Sequence, residues 1–280
     1  MCGRARECLW HAVPPRKEPC ERDAGLREFR GRRLMLRSRI IPCLLMQDSG
    51  LVKTRQFGDP KYVGDPINAV KIYNEKQVDE LSIYDIDATV QGRGPDFDHL
   101  RSIAVESRMP LCYGGGVRSA ADAVKLIKLG FEKVSVSAAA VERPALIREL
   151  ADAVGRQSVV VTVDVKKGGL LGRLGVFTHN GKRAAKVKLA DFVPMIEDQG
   201  AGEIVINHID RDGMMQGYDL ELARSVRAAV DIPTTMLGGA GSVDHMRELI
   251  DAIGTCGAAA GSLFVFNGVY RAVLISYARP

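Results

Sequence analysis

The sequence predicts an α/β protein in which eight parallel strands close into a (βα)8 TIM barrel, and two observations lead to this prediction. Eight short runs rich in aliphatic and β-branched residues alternate with longer amphipathic segments, such as SAADAVKLIKLG from Ser119 to Gly130. This alternation is typical of a parallel sheet covered by helices. In addition, a constant shift of 123 residues aligns Glu80–Asp87 with Glu203–Asp210 and Pro110 with Pro233. Eight repeats in two similar halves favour a barrel with half-barrel pseudo-symmetry, and an open doubly wound sheet is the alternative.

The predicted strands share an apolar centre and end at glycine, alanine or polar residues. In chain order they are RIIPCLL (39–45), ELSIYDID (80–87), PLCYGGG (110–116), KVSVSAAA (133–140), SVVVTVDV (158–165), EIVINHID (203–210), PTTMLGGA (233–240) and GAAAGSLF (257–264). Helical segments between successive strands act as crossovers, and this connection makes neighbouring strands parallel.

Composition limits the function classes. The chain has 280 residues, 46% hydrophobic and 6% aromatic, which suits one domain with a large aliphatic core. The net charge of +5 arises mostly within residues 1–34, where arginine is frequent and neither a helical nor a strand period is present. We interpret residues 1–34 as a disordered basic extension or a mis-assigned start, and residues 35–280 as the barrel domain. The nearly neutral remainder argues against nucleic-acid binding.

Other classes are excluded by what the chain lacks. No apolar run reaches the roughly 18 to 20 residues that a membrane-spanning helix needs, so no membrane association is expected. The six cysteines show no CxxC spacing and are interpreted as reduced thiols of a cytoplasmic protein. No metal site and no cofactor are predicted.

Two glycine-rich turns are candidate phosphate sites. Gly115 and Gly116 follow the third strand, and Gly238 and Gly239 follow the seventh at the same shift of 123 residues. Glycine turns before a helix expose backbone N–H groups that can hold a phosphate, although a pair of tight turns is the alternative for either motif alone. Their matching positions favour phosphate binding.

Asp164 is the candidate catalytic residue. It ends the apolar run SVVVTV, where a carboxylate would face the mouth of the barrel. A buried carboxylate is costly unless it is paired or used for general acid–base chemistry, and a salt-bridged structural aspartate is the alternative. Asp85, Asp87 and Asp210 also lie at strand ends, as does His208, which is interpreted as structural.

Several motifs resemble one family over nearly the whole chain from Met35. The segments RIIPCL, DELSIYDIDA, YGGGV, VVVTVDVK, GAGEIVI, IDRDG and GGAGS are similar to the cyclase subunit of imidazole glycerol phosphate synthase. The resemblance implies phosphate positions at the glycine turns and at Ser137, Asp212, Gly213, Gly261 and Ser262. It also implies a glutaminase subunit that docks on the N-terminal rim and supplies ammonia through the barrel interior. The corresponding entrance gate is a ring of alternating charges: Arg39, Glu80, Lys133 and Glu203.

Two positions depart from the family pattern. The resemblance implies catalytic aspartates at the ends of the first and fifth strands, but the first of these positions is Leu45 here, and leucine cannot exchange a proton. The Asn-Thr pair that helps to bind one phosphate is Ser137-Ala138. With these departures, the chain resembles a divergent branch of the family. The resemblance is also carried by GLVKT (50–54), KYVGDPINA (61–69) and RAVLISY (271–277). That branch is associated with amidation of a nucleotide-linked sugar in surface-polysaccharide (O-antigen) biosynthesis.

Three functions follow as alternatives. The leading hypothesis is an ammonia-delivering synthase subunit that works with a glutaminase and a sugar amidotransferase and binds a phosphorylated ligand. The second is a true cyclase of histidine biosynthesis in which another carboxylate, such as Asp48, compensates for Leu45. The third is a non-catalytic barrel that activates a glutaminase.

Overall fold

The computed structural model describes residues 37–168, 172–268 and 270–278. The predicted extension, residues 1–34, lies outside the described residues. The strands are, in chain order, β1 (Arg39–Gln47), β2 (Gly50–Arg55), β3 (Gly58–Gly64), β4 (Leu81–Asp85), β5 (Leu111–Gly114), β6 (Lys133–Val136), β7 (Val159–Gly168), β8 (Arg173–Thr178), β9 (Arg183–Ala184), β10 (Glu203–His208), β11 (Thr234–Leu237), β12 (Gly257–Ala260), β13 (Phe266–Asn267) and β14 (Ala272–Val273).

The α-helices of the described part of the chain form a layer around the sheet. They are α1 (Pro66–Glu75), α2 (Phe97–Glu106), α3 (Ala120–Leu129), α4 (Ala138–Glu142), α5 (Ala145–Val154), α6 (Leu189–Asp198), α7 (Leu220–Ala229), α8 (Val243–Ile253) and α9 (Ser262–Val265).

The eight predicted strands all form, and they close into a barrel. The parallel neighbours run in the order β1, β4, β5, β6, β7, β10, β11 and β12, and β12 pairs with β1. The pairing of β7 with β10 completes the closed ring of eight strands, so the barrel prediction is confirmed and the open doubly wound sheet is wrong. No helix in the described ranges is long and apolar enough to cross a membrane.

Local signals in the sequence explain where several helices begin. The side chains of Asp65, Asp96 and Asp219 each accept a hydrogen bond from a backbone N–H of the first turn. At α3, Ser119 and Asp122 form a reciprocal capping box. Such caps stabilise a helix by about 1 kcal/mol each and fix the residue at which it starts.

Two hairpins extend the sheet beyond the barrel, and the sequence analysis did not predict either of them. β1 continues into the antiparallel pair β2–β3, and β7 continues into β8–β9. The turns of the first hairpin place Asp48-Ser49 and Gln56-Phe57 at positive φ. Asn-Gly or Asp-Gly normally marks such two-residue turns, so the usual sequence signal is absent here.

The apolar residues form two separate clusters. The larger cluster lies between the strands and the surrounding helices. The smaller cluster fills the barrel interior and contains Ile41, Cys43, Cys112, Val160, Val205, Leu237 and Ala259, with the partly buried Tyr84 packed against it. Alternation along each strand sends successive side chains to opposite faces, which explains why the two clusters remain distinct.

Candidate functional site

The four residues that were predicted to form a charged ring meet at the N-terminal end of the barrel. Lys133 Nζ lies 2.7 Å from a carboxylate oxygen of Glu80 and 2.8 Å from one of Glu203. Arg39 completes the ring, because its Nη2 lies 2.8 Å from Glu203 and its Nη1 pairs with Glu80. Each cation therefore contacts both carboxylates, and the four side chains encircle one end of the lumen.

Mutual attraction keeps Lys133 and Glu203 of this ring charged despite their burial. The side chains of Glu80 and Glu203 are only 5% exposed. Burial alone would lower the pKa of Lys133, but attraction to Glu203 and Glu80 outweighs it and raises that pKa. Burial likewise opposes ionisation of Glu203, yet Lys133 and Arg39 hold its pKa below the ordinary value. The ring thus differs from a solvated surface network, whose pairs contribute only about 0 to 1 kcal/mol.

The lumen above the ring is narrow. Inward positions of the strands enclose a small chamber that leaves about 10 Å³ for the centre of a water-sized molecule. Its walls include Glu80, Glu203, Cys43, Cys112 and Tyr84. A space of about this size holds a single water molecule, and ammonia has similar dimensions.

A much larger cavity of about 640 Å³ opens at the C-terminal ends of β4 to β7. Among the predicted site residues, Gly115, Gly116, Ser137 and Asp164 line it, as does Leu45. The remaining predicted phosphate residues do not line this cavity: Asp212, Gly213, Gly238, Gly239, Gly261 and Ser262. The mouth therefore has an open half and a covered half.

Asp164 occupies the open half with two polar neighbours. Asn207 Nδ2 donates a hydrogen bond of 2.9 Å to Asp164 Oδ1, and Ser137 Oγ lies 3.5 Å from Oδ2. Burial raises the pKa of Asp164 to about 7, although both hydrogen bonds act in the opposite direction. A carboxyl group with this pKa can donate or accept a proton near neutrality. Leu45, in the same cavity, offers no second exchangeable proton.

Four basic side chains in the cavity wall were not among the predicted site residues. Arg118 follows the first glycine turn, Arg143 follows α4, and His179 and Arg183 belong to the β8–β9 hairpin. Arg183 Nη1 lies 3.2 Å from His179 Nε2. The position of Arg118 beside the glycine turn was a usable signal. Asn180-Gly181, which forms the β8–β9 turn between His179 and Arg183, was a second one. These groups favour an anionic ligand.

The β2–β3 hairpin covers the other half of the mouth. Thr54 Oγ1 donates a 2.9 Å hydrogen bond to Asp212, and the Gln56 N–H donates one of 3.0 Å to the Asp212 carbonyl. Lys53 is 5% exposed, and its Nζ donates to the carbonyl of Cys43 beside Gly261. A side chain at Gly261 would meet Lys53 Nζ and displace the end of this lysine.

The two glycine pairs also have a packing role that preserves the internal symmetry. A Cβ on Gly115 would lie 2.6 Å from the carbonyl oxygen of Asp85, and one on Gly238 would lie 2.7 Å from that of His208. Both glycines have positive φ as well. Equivalent close approaches in the two half-barrels therefore require glycine whether or not a phosphate binds.

The other strand-end residues have structural contacts. Asp85 forms a bidentate pair with Arg93, with distances of 2.8 and 3.1 Å. Asp210 accepts a 2.8 Å hydrogen bond from the backbone N–H of Lys167. His208 is 2% exposed, and its Nε2 lies 3.4 Å from Asp219 at the start of α7. These contacts hold the loops that border the mouth. Among the described residues, no cluster of His, Cys, Asp and Glu could hold a metal ion.

The raised pKa of Asp164 predicts a pH dependence of stability. The unfolded value is about 3.9, so between about pH 4 and pH 7 the folded state binds more protons than the unfolded state. The contribution of Asp164 to the free energy of unfolding therefore falls as pH rises from about pH 4 to pH 7, and it levels off above pH 7. Urea denaturation at intervals from pH 5 to pH 8 should show that Asp164→Asn removes this contribution to the slope.

The exposed Asp98, whose side chain is 92% accessible, supplies the matched control. Asp98→Asn should keep the wild-type slope. An Asp164→Asn curve parallel to the wild-type curve over the whole range would contradict the assignment.

Fold and site together define a (βα)8 barrel of the enzymatic type, whose candidate site lies at the C-terminal ends of the strands. A family model described as "Histidine biosynthesis protein" matches residues 39–271. The chain is 53% identical over 246 residues to the "Putative imidazole glycerol phosphate synthase subunit hisF3" of Vibrio vulnificus, covering 88% of this chain and 95% of that protein.

Two further relatives match this chain over a similar length. The "Putative imidazole glycerol phosphate synthase subunit HisF" of Leptospira borgpetersenii is 50% identical over 87% of this chain and 96% of its own length. The corresponding hisF2 protein of Pseudomonas aeruginosa is 47% identical with the same coverage. The chain therefore belongs to the histidine biosynthesis protein family and, within it, to the HisF-like cyclase subunits of imidazole glycerol phosphate synthase.

Proposed function

We propose that this barrel receives ammonia from a glutaminase subunit and delivers it for amidation of a nucleotide-linked sugar in surface-polysaccharide biosynthesis. The observation that carries the proposal is the mouth cavity, where Leu45 stands beside Asp164 in place of the strand-one aspartate of the family pattern. The other carboxyl groups of the wall belong to Asp85, which is paired with Arg93, and to Glu142. Ring closure to an imidazole with two acid–base groups would lose about 10² to 10⁴ in rate when one is removed. Delivery of ammonia needs neither group.

The charged ring supports the ammonia part of this proposal. Arg39, Glu80, Lys133 and Glu203 close the end of the lumen on which a glutaminase would dock, and the chamber behind them fits one small molecule. Free ammonia in the cytosol would be diluted and mostly protonated, so confinement preserves its nucleophilicity. The gate would admit ammonia when docking of the glutaminase rearranges the four side chains.

The mouth would hold a phosphorylated ligand in its open half. Gly115, Gly116 and Ser137 line the cavity together with Arg118 and Arg183, so N–H groups and cations face the same space. In the covered half, the β2–β3 hairpin closes the surface, so this half would not bind the ligand. In this arrangement one phosphate group, or one nucleotide diphosphate, would be bound by the open half.

One observation favours the second candidate, a true cyclase of histidine biosynthesis. The pKa of Asp164 is about 7, which suits a general acid–base catalyst at neutral pH. The proposed compensation by Asp48 has less support, because Asp48 is exposed in the β1–β2 turn and does not line the mouth cavity.

Complementation separates the two candidates. A bacterial strain that lacks its histidine-pathway cyclase should not grow without histidine when it carries this chain, whereas a family member with both strand-end aspartates should restore growth. Immunoblotting must show equal amounts of the two proteins. Growth supported by this chain would refute the sugar-amidation proposal. In the native host, deletion of the gene should lower the amide content of the surface polysaccharide, measured by NMR.

A further inference from the structure

Tyr84 is the single aromatic side chain among the described inward-facing residues of the barrel strands. Its strand, β4, directs Ser82 and Tyr84 into the lumen, and the neighbouring inward positions carry small or aliphatic residues such as Cys43, Cys112 and Val160. In an interior of this width, a phenol ring is the largest obstacle to a molecule that moves along the barrel axis. It therefore decides whether the lumen is continuous.

The position of Tyr84 places it between the two cavities. It lines the small chamber together with Glu80 and Glu203, and it also lines the mouth cavity together with Asp164. Tyr84 is only partly buried, as expected for a side chain that borders an open cavity. The charged ring lies at the opposite end of the chamber, so the lumen has two separate closures.

Specific neighbours hold the ring in this place. A Cβ on Gly114 would lie 2.8 Å from Tyr84 Cδ1 and 3.0 Å from Cε1, so the ring occupies space that only glycine leaves open. Burial raises the pKa of the Tyr84 phenol well above its ordinary value, with a hydrogen bond to Thr162 acting in the opposite direction. Thr162 is itself hydrogen-bonded to Ser135, at 2.7 Å between the hydroxyl oxygens.

We propose that Tyr84 is an inner gate, which separates the chamber behind the charged ring from the mouth and must move for a small molecule to pass. Gly114 leaves room for the ring to lie across the lumen, and Thr162 is the polar neighbour of the phenol. As a gate for ammonia, this inference rests on the proposed function. As a barrier between the two cavities, it can be tested without a glutaminase or an acceptor.

Two buried thiols report on the barrier. Cys43 and Cys112 line the chamber on the far side of Tyr84 from the mouth, whereas Cys256 is buried but does not line it. Burial raises the pKa of Cys43 to about 12, that of Cys256 to about 11 and that of Cys112 well above its ordinary value, so all three thiols are poor nucleophiles in the intact protein. Entry of water and reagent from the mouth would increase the reactivity of Cys43 and Cys112 alone.

The experiment measures the rate at which methyl methanethiosulfonate labels each cysteine in the full chain, read by peptide mass spectrometry. Tyr84→Ala and the larger Tyr84→Leu are compared with wild type and with Tyr113→Ala, which removes a buried tyrosine from the outer cluster. We expect both Tyr84 variants to accelerate labelling of Cys43 and Cys112 by about ten-fold or more relative to Cys256, because a local path has opened. Tyr113→Ala should not change the labelling rates of Cys43 and Cys112 relative to the rate of Cys256.

The proposal is overturned if, in both Tyr84 variants, Cys43 and Cys112 are labelled no faster relative to Cys256 than in the wild type. This holds whether all labelling rates stay at the wild-type level or rise together through unfolding. A second variant tests the arrangement without deleting the ring. Gly114→Ala should displace Tyr84 and give the same selective labelling. Failure of the sugar-amidation proposal in the complementation experiment would leave these rates unchanged, so the two results are independent.

Discussion

Replacing Leu45 with aspartate is expected to raise ammonia-dependent cyclase turnover by about 10² to 10⁴. The residue lies at the end of β1 in the mouth cavity that Asp164 also lines, so the substitution would place two carboxyl groups in one site. Leu45 is partly exposed to the cavity, and an aspartate there can remain hydrated. The assay uses purified protein, an ammonium salt and the bisphosphate substrate of the histidine-pathway cyclase, with product measured by chromatography.

Matched variants show whether proton exchange causes the gain. Leu45→Asn has nearly the shape of the aspartate but cannot exchange a proton at neutral pH, and it should stay at the wild-type level. Adding Asp164→Asn to Leu45→Asp should abolish the gain, because the two carboxyl groups act in one reaction. Wild-type turnover at an ordinary enzymatic rate of about 1 to 10³ per second would contradict the sugar-amidation proposal.

The sequence predicted the barrel because the features that build it are periodic. The eight apolar runs form the eight barrel strands. The shift that relates Glu80 to Glu203 also relates Gly115 to Gly238, and the two glycines make equivalent close contacts with the backbone. The ring of four charged residues was implied by the family resemblance, and its place at one rim follows because each residue lies at or immediately before the first residue of a barrel strand. Features that repeat along the chain can therefore be placed from the sequence.

The parts that were not predicted depend on contacts between distant segments. The turn at Gln56-Phe57 has none of the residues that mark a hairpin, yet it brings Thr54 to Asp212 and covers half of the mouth. Arg183 reaches the cavity only because β8 pairs with β7. Likewise, the position of Tyr84 across the lumen follows from the space at Gly114 on the neighbouring strand. No local pattern in the sequence records the contacts of Thr54 and Tyr84, whereas Asn180-Gly181 marks the turn that leads to Arg183.

The second large effect is expected at the charged ring. Lys133→Ala removes one of the two cations that contact both Glu80 and Glu203, so two carboxylates that are 5% exposed keep only Arg39 as a cationic partner. Loss of one member of a buried ion pair costs about 3 to 5 kcal/mol, and urea denaturation should show a loss of that order. Lys128→Ala, at an exposed lysine of α3, is the matched control and should leave stability nearly unchanged.

The same substitution should also uncouple glutamine hydrolysis from ammonia use, because an open ring no longer controls entry to the chamber. With the glutaminase subunit present and Leu45→Asp as the background that gives a measurable product, we expect about one product per glutamine hydrolysed in the parent and several glutamines per product after Lys133→Ala. Isotopically labelled glutamine, diluted by unlabelled ammonium in the buffer, measures the leak directly. Lys133→Ala with unchanged coupling, in a protein whose denaturation curve shows that it is folded, would mean that the ring stabilises the barrel without gating it.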